Sequence, residues 1–223
     1  MSDLDICKLA YDGEFSALKE RIEADRSVVN QLDKSDRAVL HWAASGKHFE
    51  IVQYLLELKP PPNVNIKDDS NWTPLHIASS VGQEEIVTAL IGQGAEVNVA
   101  NRTGQTPLHY AASRDRQRIT EKLLEHGADA NIGDQTGATP MHRAASKGNL
   151  EIVKLLLNYN CRLDLQDCVG NTPLHLACEE ERTEEATLLA QHGAPLRIQN
   201  KEEKTPLALA PIGLARTLSS LKD

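Results

Sequence analysis

The sequence has 223 residues, of which 40% are hydrophobic and 25% charged, with a formal charge of −8 at pH 7 and a pI near 5.5. This acidic balance argues against a general nucleic-acid-binding protein, because phosphate binding needs a basic face. No apolar run reaches the roughly 18 residues that a membrane-spanning helix needs, and the acidic start is unlike a secretory signal, so we expect no membrane contact.

A short motif, Thr-Pro-Leu-His or a close variant, is repeated along the chain. From His76 onward its copies follow one another at a constant step of 33 residues. A fixed period of this size indicates one folding unit copied many times, and it resembles the ankyrin-repeat family. The copies lie at Ala38–His41, Thr73–His76, Thr106–His109, Thr139–His142, Thr172–His175 and Thr205–Ala208.

Each copy predicts two helices and a hairpin-like finger. In the copy that begins at Thr106, the threonine is a good N-cap and Pro107 suits the first helical turn. A second helix is predicted through Ile119 and Leu123, and Gly127 should end it in the left-handed conformation. At the equivalent position Asn160 replaces glycine. The predicted fold class is therefore all-α, an ankyrin-repeat solenoid of helix-turn-helix repeats.

The two ends and one insertion depart from the period. The spacing of Leu9, Leu18 and Ile22 predicts an opening repeat that lacks the Thr-Pro-Leu-His motif. Pro211 and Gly213 predict a shortened last repeat. The prolines at 60–62 indicate a two-residue surface insertion, with a proline-recognition ligand as the alternative. We expect one domain, residues 1–223, of seven repeats at about 4–36, 37–69, 70–102, 103–135, 136–168, 169–201 and 202–223.

The histidines and cysteines do not predict catalysis or a metal site. Successive histidines of the Thr-Pro-Leu-His motif lie one repeat apart, so they cannot converge on one metal ion. We expect each to bond to backbone in its own finger. The four cysteines form no C-x-x-C pair and predict reduced thiols in a reducing compartment. No common catalytic motif is present, so we expect no enzyme, no cofactor and no metal.

A concave groove formed by the fingers and first helices is the predicted partner-binding surface. Basic side chains dominate from the first finger to the fifth repeat, and an acidic cluster follows in the sixth. Arg143 stands out because the equivalent positions are apolar or aromatic, and Trp72 because tryptophan is a common interface anchor. The candidate contacts are Lys34, Arg37, Trp42, Asp68, Asp69, Trp72, Arg102, Tyr110, Arg114, Arg143, Lys147, Glu179, Glu180 and Glu181.

Segments from the first repeat to the last resemble the gankyrin family of proteasome regulatory-particle assembly chaperones, at positions that the ankyrin consensus leaves free. The resemblance departs at the triple proline and in the last helix. The matching segments are 8–13, 40–43, 67–69 with Trp72, 139–145, 147–150, 171–182 and 200–207.

The resemblance implies a cytoplasmic and nuclear chaperone, a monomer, that binds the C-terminal domain of proteasome base ATPase regulatory subunit 6B through the concave face. Arg37 and Arg114 fall where the family contacts acidic residues of that ATPase, and the glutamates at 179–181 would contact basic ones. We expect Arg37→Glu combined with Arg114→Glu to abolish this binding without changing the thermal midpoint.

The alternative is a regulatory ankyrin protein that binds a cyclin-dependent kinase, such as cyclin-dependent kinase 4, or a retinoblastoma-type protein. Leu176, Cys178 and Glu180 fit the L-x-C-x-E motif by which ligands bind retinoblastoma-type pocket proteins. Pocket ligands present this motif as an extended strand, whereas Cys178 is expected to be buried in a helix.

Overall fold

The computed structural model of the protein describes residues 5–221. It divides into two compact units, one ending at Arg102 and the other beginning at Thr103. This division coincides with the predicted boundary between the third and fourth repeats. The outer limits of the first and last predicted repeats, residues 4 and 223, lie outside the described residues.

The first unit holds three helix pairs. The first helices α1, α3 and α5 pack in one row, and α4 packs on α6 in a second row. A 3₁₀ helix, Arg26–Asn30, follows the first pair. The α-helices are α1 Ile6–Asp12, α2 Phe15–Ala24, α3 Val39–Gly46, α4 Phe49–Glu57, α5 Pro74–Val81 and α6 Glu84–Gly92.

The second unit has the same plan with four pairs. One row is formed by α7, α9, α11 and α13, and the other by α8, α10, α12 and α14. The helices are α7 Pro107–Ser113, α8 Gln117–Glu125, α9 Pro140–Lys147, α10 Leu150–Leu157, α11 Pro173–Glu179, α12 Thr183–Gln191, α13 Pro206–Leu209 and α14 Ile212–Ser220. The four-residue α13 confirms the prediction of a shortened last repeat.

Small residues on the first helices and branched residues on the second helices form the core of each unit. Ala111 and Ala112 on α7 are fully buried, as is Leu123 on α8. Alanine at these positions lets neighbouring helices approach closely, and the apolar stripe of each second helix closes the repeat. Within residues 5–221 there is no β-strand and no helix long and apolar enough to cross a membrane.

The predicted helix ends agree with the structure. Thr106 is the N-cap of α7, and Pro107 is its first residue. Gly127 has φ 84° and Asn160 has φ 49°, so both adopt the left-handed conformation that was expected of them. Asparagine is tolerated there because its short polar side chain bonds locally at little steric cost.

The histidines connect repeats: the predicted bond to backbone is made by one ring nitrogen in its own repeat, while the other ring nitrogen reaches the next finger, which was not predicted. The Nδ1 atom of His142 accepts the backbone N–H of Thr139 in its own repeat, 3.1 Å away. Its Nε2 atom lies 3.0 Å from the carbonyl oxygen of Asn171, in the finger of the next repeat. His41, His109 and His175 make the same pair of contacts. One ring nitrogen is occupied by the helix cap, so only the other is left to reach outward.

Candidate protein-binding surfaces

The fingers are tight turns held by one carboxylate or amide at their base. In the first finger, residues 33–37, Asp33 Oδ1 accepts the backbone N–H groups of Ser35 at 2.8 Å and Arg37 at 3.0 Å. The same arrangement is made by Asp68, Asp134, Asp167 and Asn200 in the fingers 68–72, 134–138, 167–171 and 200–204. Because one oxygen serves the turn, the second oxygen of each aspartate is available to a neighbouring side chain.

Arg37 is positioned by the second oxygen of Asp68. Its Nε donates to Asp68 Oδ2 at 3.0 Å, and its guanidinium lies 5.2 Å from the centre of the Trp42 ring. The Arg37 side chain remains 30% exposed, whereas that of Asp68 is 1% exposed. The arginine is thereby held in one orientation with part of its charge open to solvent, which lowers the entropy lost when a partner binds it.

Trp42 is held in turn by Asp33. Its Nε1 donates to Asp33 Oδ2 at 2.8 Å, and its ring packs edge-on against Tyr11 at 5.7 Å. Although burial alone would raise the pKa of Asp33, donors from Arg37, Ser35 and Trp42 lower it below its ordinary value. Asp33 therefore stays ionised in the neutral pH range and keeps the aromatic platform under Arg37 in place.

A shallow cleft of about 180 Å³ lies beside Arg37. Trp72 forms one wall of this cleft. Its side chain is half-buried, whereas the interpretation as an interface anchor implied an exposed one. Its carbonyl oxygen lies 3.0 Å from His41 Nε2, which ties the cleft wall to α3. A cleft with a cation at its edge and an apolar interior suits an apolar side chain next to an acidic one. The full lining is Arg37, Ser45, Trp72, Ile77, Ser80 and Val81.

The other candidates in the first unit occupy three different environments. Lys34 and Asp69 are exposed on the fingers, and Arg102 is exposed at the end of the unit. Asp68, by contrast, is 4% exposed and uses its oxygens inside the chain. The interpretation of Asp68 as a direct partner contact is therefore corrected: it orders Arg37 and its own finger.

Arg143 in the second unit also has a structural partner. Its Nη2 donates to Asp134 Oδ2, and Asp134 has a side chain only 2% exposed. Burial by itself would raise the pKa of Asp134, but bonds from Thr136 and Arg143 hold it at about 2. The departure from the apolar pattern at position 143, which the sequence suggested was a partner contact, is thus explained inside the fold. Part of the Arg143 side chain, 36%, still faces solvent.

The remaining candidates of the second unit differ in exposure. Arg114 is exposed at the C-terminal end of α7, and Lys147 is exposed at the end of α9. Glu179, Glu180 and Glu181 are exposed around the end of α11, whereas Tyr110 is half-buried on α7. The unit therefore carries cations at the ends of two first helices and an acidic cluster at the end of the third.

The L-x-C-x-E residues are not presented as an extended strand. Leu176 and Cys178 lie inside α11, and Glu180 follows its last residue. Cys178 has no exposed surface, and burial raises the pKa of its thiol to about 12. A pocket protein would have to unfold α11 to reach this side chain, so the folded repeat does not offer the motif.

The sequence interpretation missed a second set of contacts between repeats, at the start of the second helices. His48 Nε2 lies 2.9 Å from the carbonyl oxygen of Tyr11, and Asn149 Nδ2 donates to that of Ala112 at 2.7 Å. Arg182 Nε donates to the carbonyl oxygen of Ser146 at 3.3 Å. These three residues occupy equivalent positions but differ in chemistry, so only their common place in the repeat could have revealed them.

Among residues 5–221 no group of three or more His, Cys, Asp or Glu side chains could hold a metal ion. The buried histidines are engaged in backbone contacts, and burial lowers the pKa of His109 to about 4. These residues build the scaffold and leave the exposed finger and helix-end side chains as the surfaces that a partner can reach.

Comparison with known proteins agrees with this arrangement. The chain matches the family described as Ankyrin repeats (3 copies) over residues 6–101 and 82–167, and a single ankyrin repeat over residues 169–201. The ankyrin-repeat domain of Bcl-3 superimposes with a TM-score of 0.85 at 22% identity, over 98% of this chain and 99% of that one. This likeness confirms the predicted ankyrin-repeat solenoid fold.

Relatives of known name also match part of the chain. The 26S proteasome non-ATPase regulatory subunit 10 of Mus musculus is 53% identical over 74 residues, which are 33% of this chain and 31% of the mouse protein. The probable 26S proteasome regulatory subunit p28 of Saccharomyces cerevisiae is 38% identical over 93 residues, 40% of each chain. The matched segments thus span between about a third and two fifths of these relatives.

Proposed function

The chain belongs to the ankyrin-repeat family, and on that premise we propose that it is a non-catalytic protein-binding chaperone for assembly of the base of the proteasome 19S regulatory particle. The proposed partner is the C-terminal domain of ATPase regulatory subunit 6B, and the proposed compartments are the cytoplasm and nucleus. Similarity to proteasome regulatory subunits of two distant organisms supports the pathway.

The observation that carries the proposal is the ordered, half-exposed Arg37 beside the Trp72 cleft. The sequence resemblance assigns Arg37 a contact with acidic residues of the ATPase, and the fold holds this side chain ready through Asp68 and Trp42. Side chains that are ordered before binding and lie beside an apolar cleft are typical of interface hot spots.

The second unit supplies complementary charges. Arg114 is exposed and offers a second cation, while the glutamates at 179–181 offer anions to basic residues of the partner. A partner with segregated acidic and basic patches would gain specificity from this arrangement more than raw affinity. An interface of standard size, about 1,600 Å² in total, needs only a few such anchors.

The proposed mechanism is steric and involves no bond chemistry. A chaperone bound to the C-terminal domain of the ATPase would hold it away from the proteasome core particle until assembly has advanced. Release would follow when a later assembly step competes for the same ATPase surface, so the chaperone need only bind and dissociate.

The test is binding of the full chain to the purified C-terminal domain of the ATPase. Arg37→Gln removes the charge but keeps a donor for Asp68, and it should weaken binding about tenfold, as should Arg114→Gln. The matched controls are Lys19→Gln on α2 and Lys154→Gln on α10, which remove exposed cations from second helices. Their affinities should match that of the unmodified chain.

Two results would contradict the proposal: no binding of the unmodified chain to the ATPase domain, or unchanged binding of both the Arg37→Gln and Arg114→Gln variants. Binding of purified cyclin-dependent kinase 4 in place of the ATPase domain, sensitive to the same variants, would favour the kinase-regulator alternative.

A further inference from the structure

The first and the last fingers, residues 33–37 and 200–204, have side chains of the same charge at three of the four positions after the base residue, and the base itself is Asp33 in one and Asn200 in the other. Residues 34–37 read Lys-Ser-Asp-Arg, and residues 201–204 read Lys-Glu-Glu-Lys. Both turns have the same shape, since Asp36 has φ 57° and Glu203 has φ 59°. The last finger thus has a negative charge at the position where the first has the hydroxyl of Ser35.

That negative charge makes an ion pair inside its finger. Glu202 Oε2 lies 2.8 Å from Lys204 Nζ. In the finger at residues 101–105, Thr103 Oγ1 likewise lies 3.3 Å from Gln105 Oε1, and these two residues hold the positions of Glu202 and Lys204. The finger therefore brings together the side chains that lie two and four residues after its base residue. This holds for an ion pair and for a neutral pair alike.

In the first finger these two positions are Ser35 and Arg37. Ser35 is half-buried, and no hydrogen bond of its hydroxyl is present within residues 5–221. Its backbone N–H donates to Asp33 Oδ1 at 2.8 Å, and its carbonyl oxygen accepts the backbone N–H of Asp69 at 2.9 Å. The backbone is thus anchored, and only the side chain is left to be modified.

We propose that Ser35 is a phosphorylation site, and that its phosphate pairs with Arg37 and withdraws that arginine from partner binding. The reaction is that of a serine protein kinase: the Ser35 oxygen attacks the γ-phosphorus of ATP, the bond to the β,γ-bridging oxygen breaks, ADP leaves and the hydroxyl proton is released. The proposal of a switch on binding rests on the function proposed above.

The physical reason is the charge and reach of a phosphate. A phosphoserine carries a charge of about −1.5 to −2 with three acceptor oxygens, more than the glutamate at 202. Arg37 uses only its Nε toward Asp68, so its terminal N–H groups can form paired bonds to the phosphate. Asp33, Asp36 and Asp69 lie near and oppose the added charge. In the last finger Glu203 holds the place of Asp36 without preventing the ion pair, while neutral Asn200 holds the place of Asp33, so the phosphate at Ser35 needs its larger charge to pair with Arg37.

Phosphorylation itself is tested by incubating the full chain with ATP and cell lysate and locating phosphate by mass spectrometry. Phosphate is expected on Ser35 and is absent from that peptide in Ser35→Ala. An unmodified Ser35 after this incubation would overturn the proposal. The pairing is tested on chains that carry phosphoserine at position 35 by genetic encoding, with and without Arg37→Gln.

The readout of pairing is the second pKa of the phosphate, followed by phosphorus NMR. Arginine favours the dianion, so this pKa should be lower by about half a unit or more when Arg37 is present. Phosphoserine at position 136, in the finger 134–138 where the corresponding neighbour is Ala138, is the matched control and should not respond to Arg37→Gln. Equal pKa values with and without Arg37 would overturn the proposal.

Binding to the ATPase domain should fall about tenfold on phosphorylation of Ser35, and retained affinity would contradict the switch. Failure of the unmodified chain to bind the ATPase domain would refute the proposed function alone, because the kinase and NMR readouts do not involve that domain.

Discussion

Arg37 and Asp68 form an ion pair between two consecutive fingers, with Arg37 Nε 3.0 Å from Asp68 Oδ2. The carboxylate is buried and also holds the turn of its own finger through the backbone N–H groups of Ser70 and Trp72. One buried aspartate therefore orders both the cation and the aromatic wall of the proposed binding cleft.

Asp68→Ala should reduce the free energy of unfolding by about 2–4 kcal/mol, because it leaves the turn N–H groups and Arg37 without their acceptor. Asp69→Ala is the matched control, since Asp69 is exposed and one residue away. It should cost no more than about 0.5 kcal/mol. Urea unfolding measures both, and equal effects would show that Asp68 does not support the finger.

The Asp68 pairing also revises the expectation for Arg37→Glu. A glutamate at position 37 places a second negative charge beside a buried carboxylate, so the thermal midpoint should fall rather than stay constant. Arg37→Gln avoids this repulsion and is the better probe of binding. A midpoint unchanged by Arg37→Glu would indicate that Asp68 does not depend on the arginine.

Arg143→Leu restores the apolar character that the equivalent positions have, yet it should destabilise the second unit by about 1–2 kcal/mol at pH 7. Asp134, with its folded pKa held at about 2, adds stability above its unfolded pKa of 3.8 that is lost as the pH falls. Removing Arg143 raises the folded pKa, so the stability difference between the two chains should shrink as the pH falls from about 4 towards 2.

Urea unfolding at several pH values measures this difference. Lys147→Leu, which changes an exposed cation on the same helix, is the control and should show little effect at any pH. A constant penalty for Arg143→Leu from pH 7 to pH 2 would exclude Asp134 as the cause.

The buried histidines predict a loss of stability in mild acid. Burial lowers the folded pKa of His109 to about 4, below the ordinary value of 6.5, so the unfolded chain binds a proton first. The free energy of unfolding should therefore fall as the pH is lowered from about 6.5 towards 4, by roughly 1–3 kcal/mol for this residue.

His109→Gln should be less stable at pH 7 and should flatten this pH dependence. The matched control is His192→Gln, which removes an exposed histidine at the end of α12 and should cost little stability at pH 7. Parallel pH profiles for the unmodified chain and His109→Gln would argue against the assignment.

The four cysteines should react at very different rates. Cys168 is exposed on a finger, whereas burial raises the pKa of Cys7, Cys161 and Cys178 to about 12. A chromogenic disulfide reagent at pH 8 should label Cys168 rapidly in the native chain, the half-buried Cys161 more slowly, and the buried Cys7 and Cys178 only after unfolding.

Cys168→Ser should remove the fast phase, while Cys178→Ala should leave it intact. Rapid labelling of Cys178 in the native chain would show that α11 opens, and it would make the L-x-C-x-E residues accessible to a pocket protein.

Particular residues show how far the sequence alone could lead to the site. Arg37 was predicted to be a partner contact, and its internal partner Asp68, 31 residues away, was predicted to be one as well, although Asp68 is buried and holds Arg37 in place. Arg143 was selected because it breaks the apolar pattern, and the cause proved to be Asp134, at the base of the finger 134–138 that precedes α9. A pattern marks a position as unusual without showing which neighbour satisfies it.

The sequence by itself determined the repeats, their two helices, their caps and the positions where the copies differ. These features depend on local geometry, such as threonine and proline at a helix start or asparagine in a left-handed turn, and each copy repeats the same signal. The tertiary structure alone decided which charged side chains are satisfied internally and which remain for a partner. That distinction depends on distances between residues of consecutive repeats, such as His142 to Asn171 and Asn149 to Ala112, which packing sets and periodicity does not.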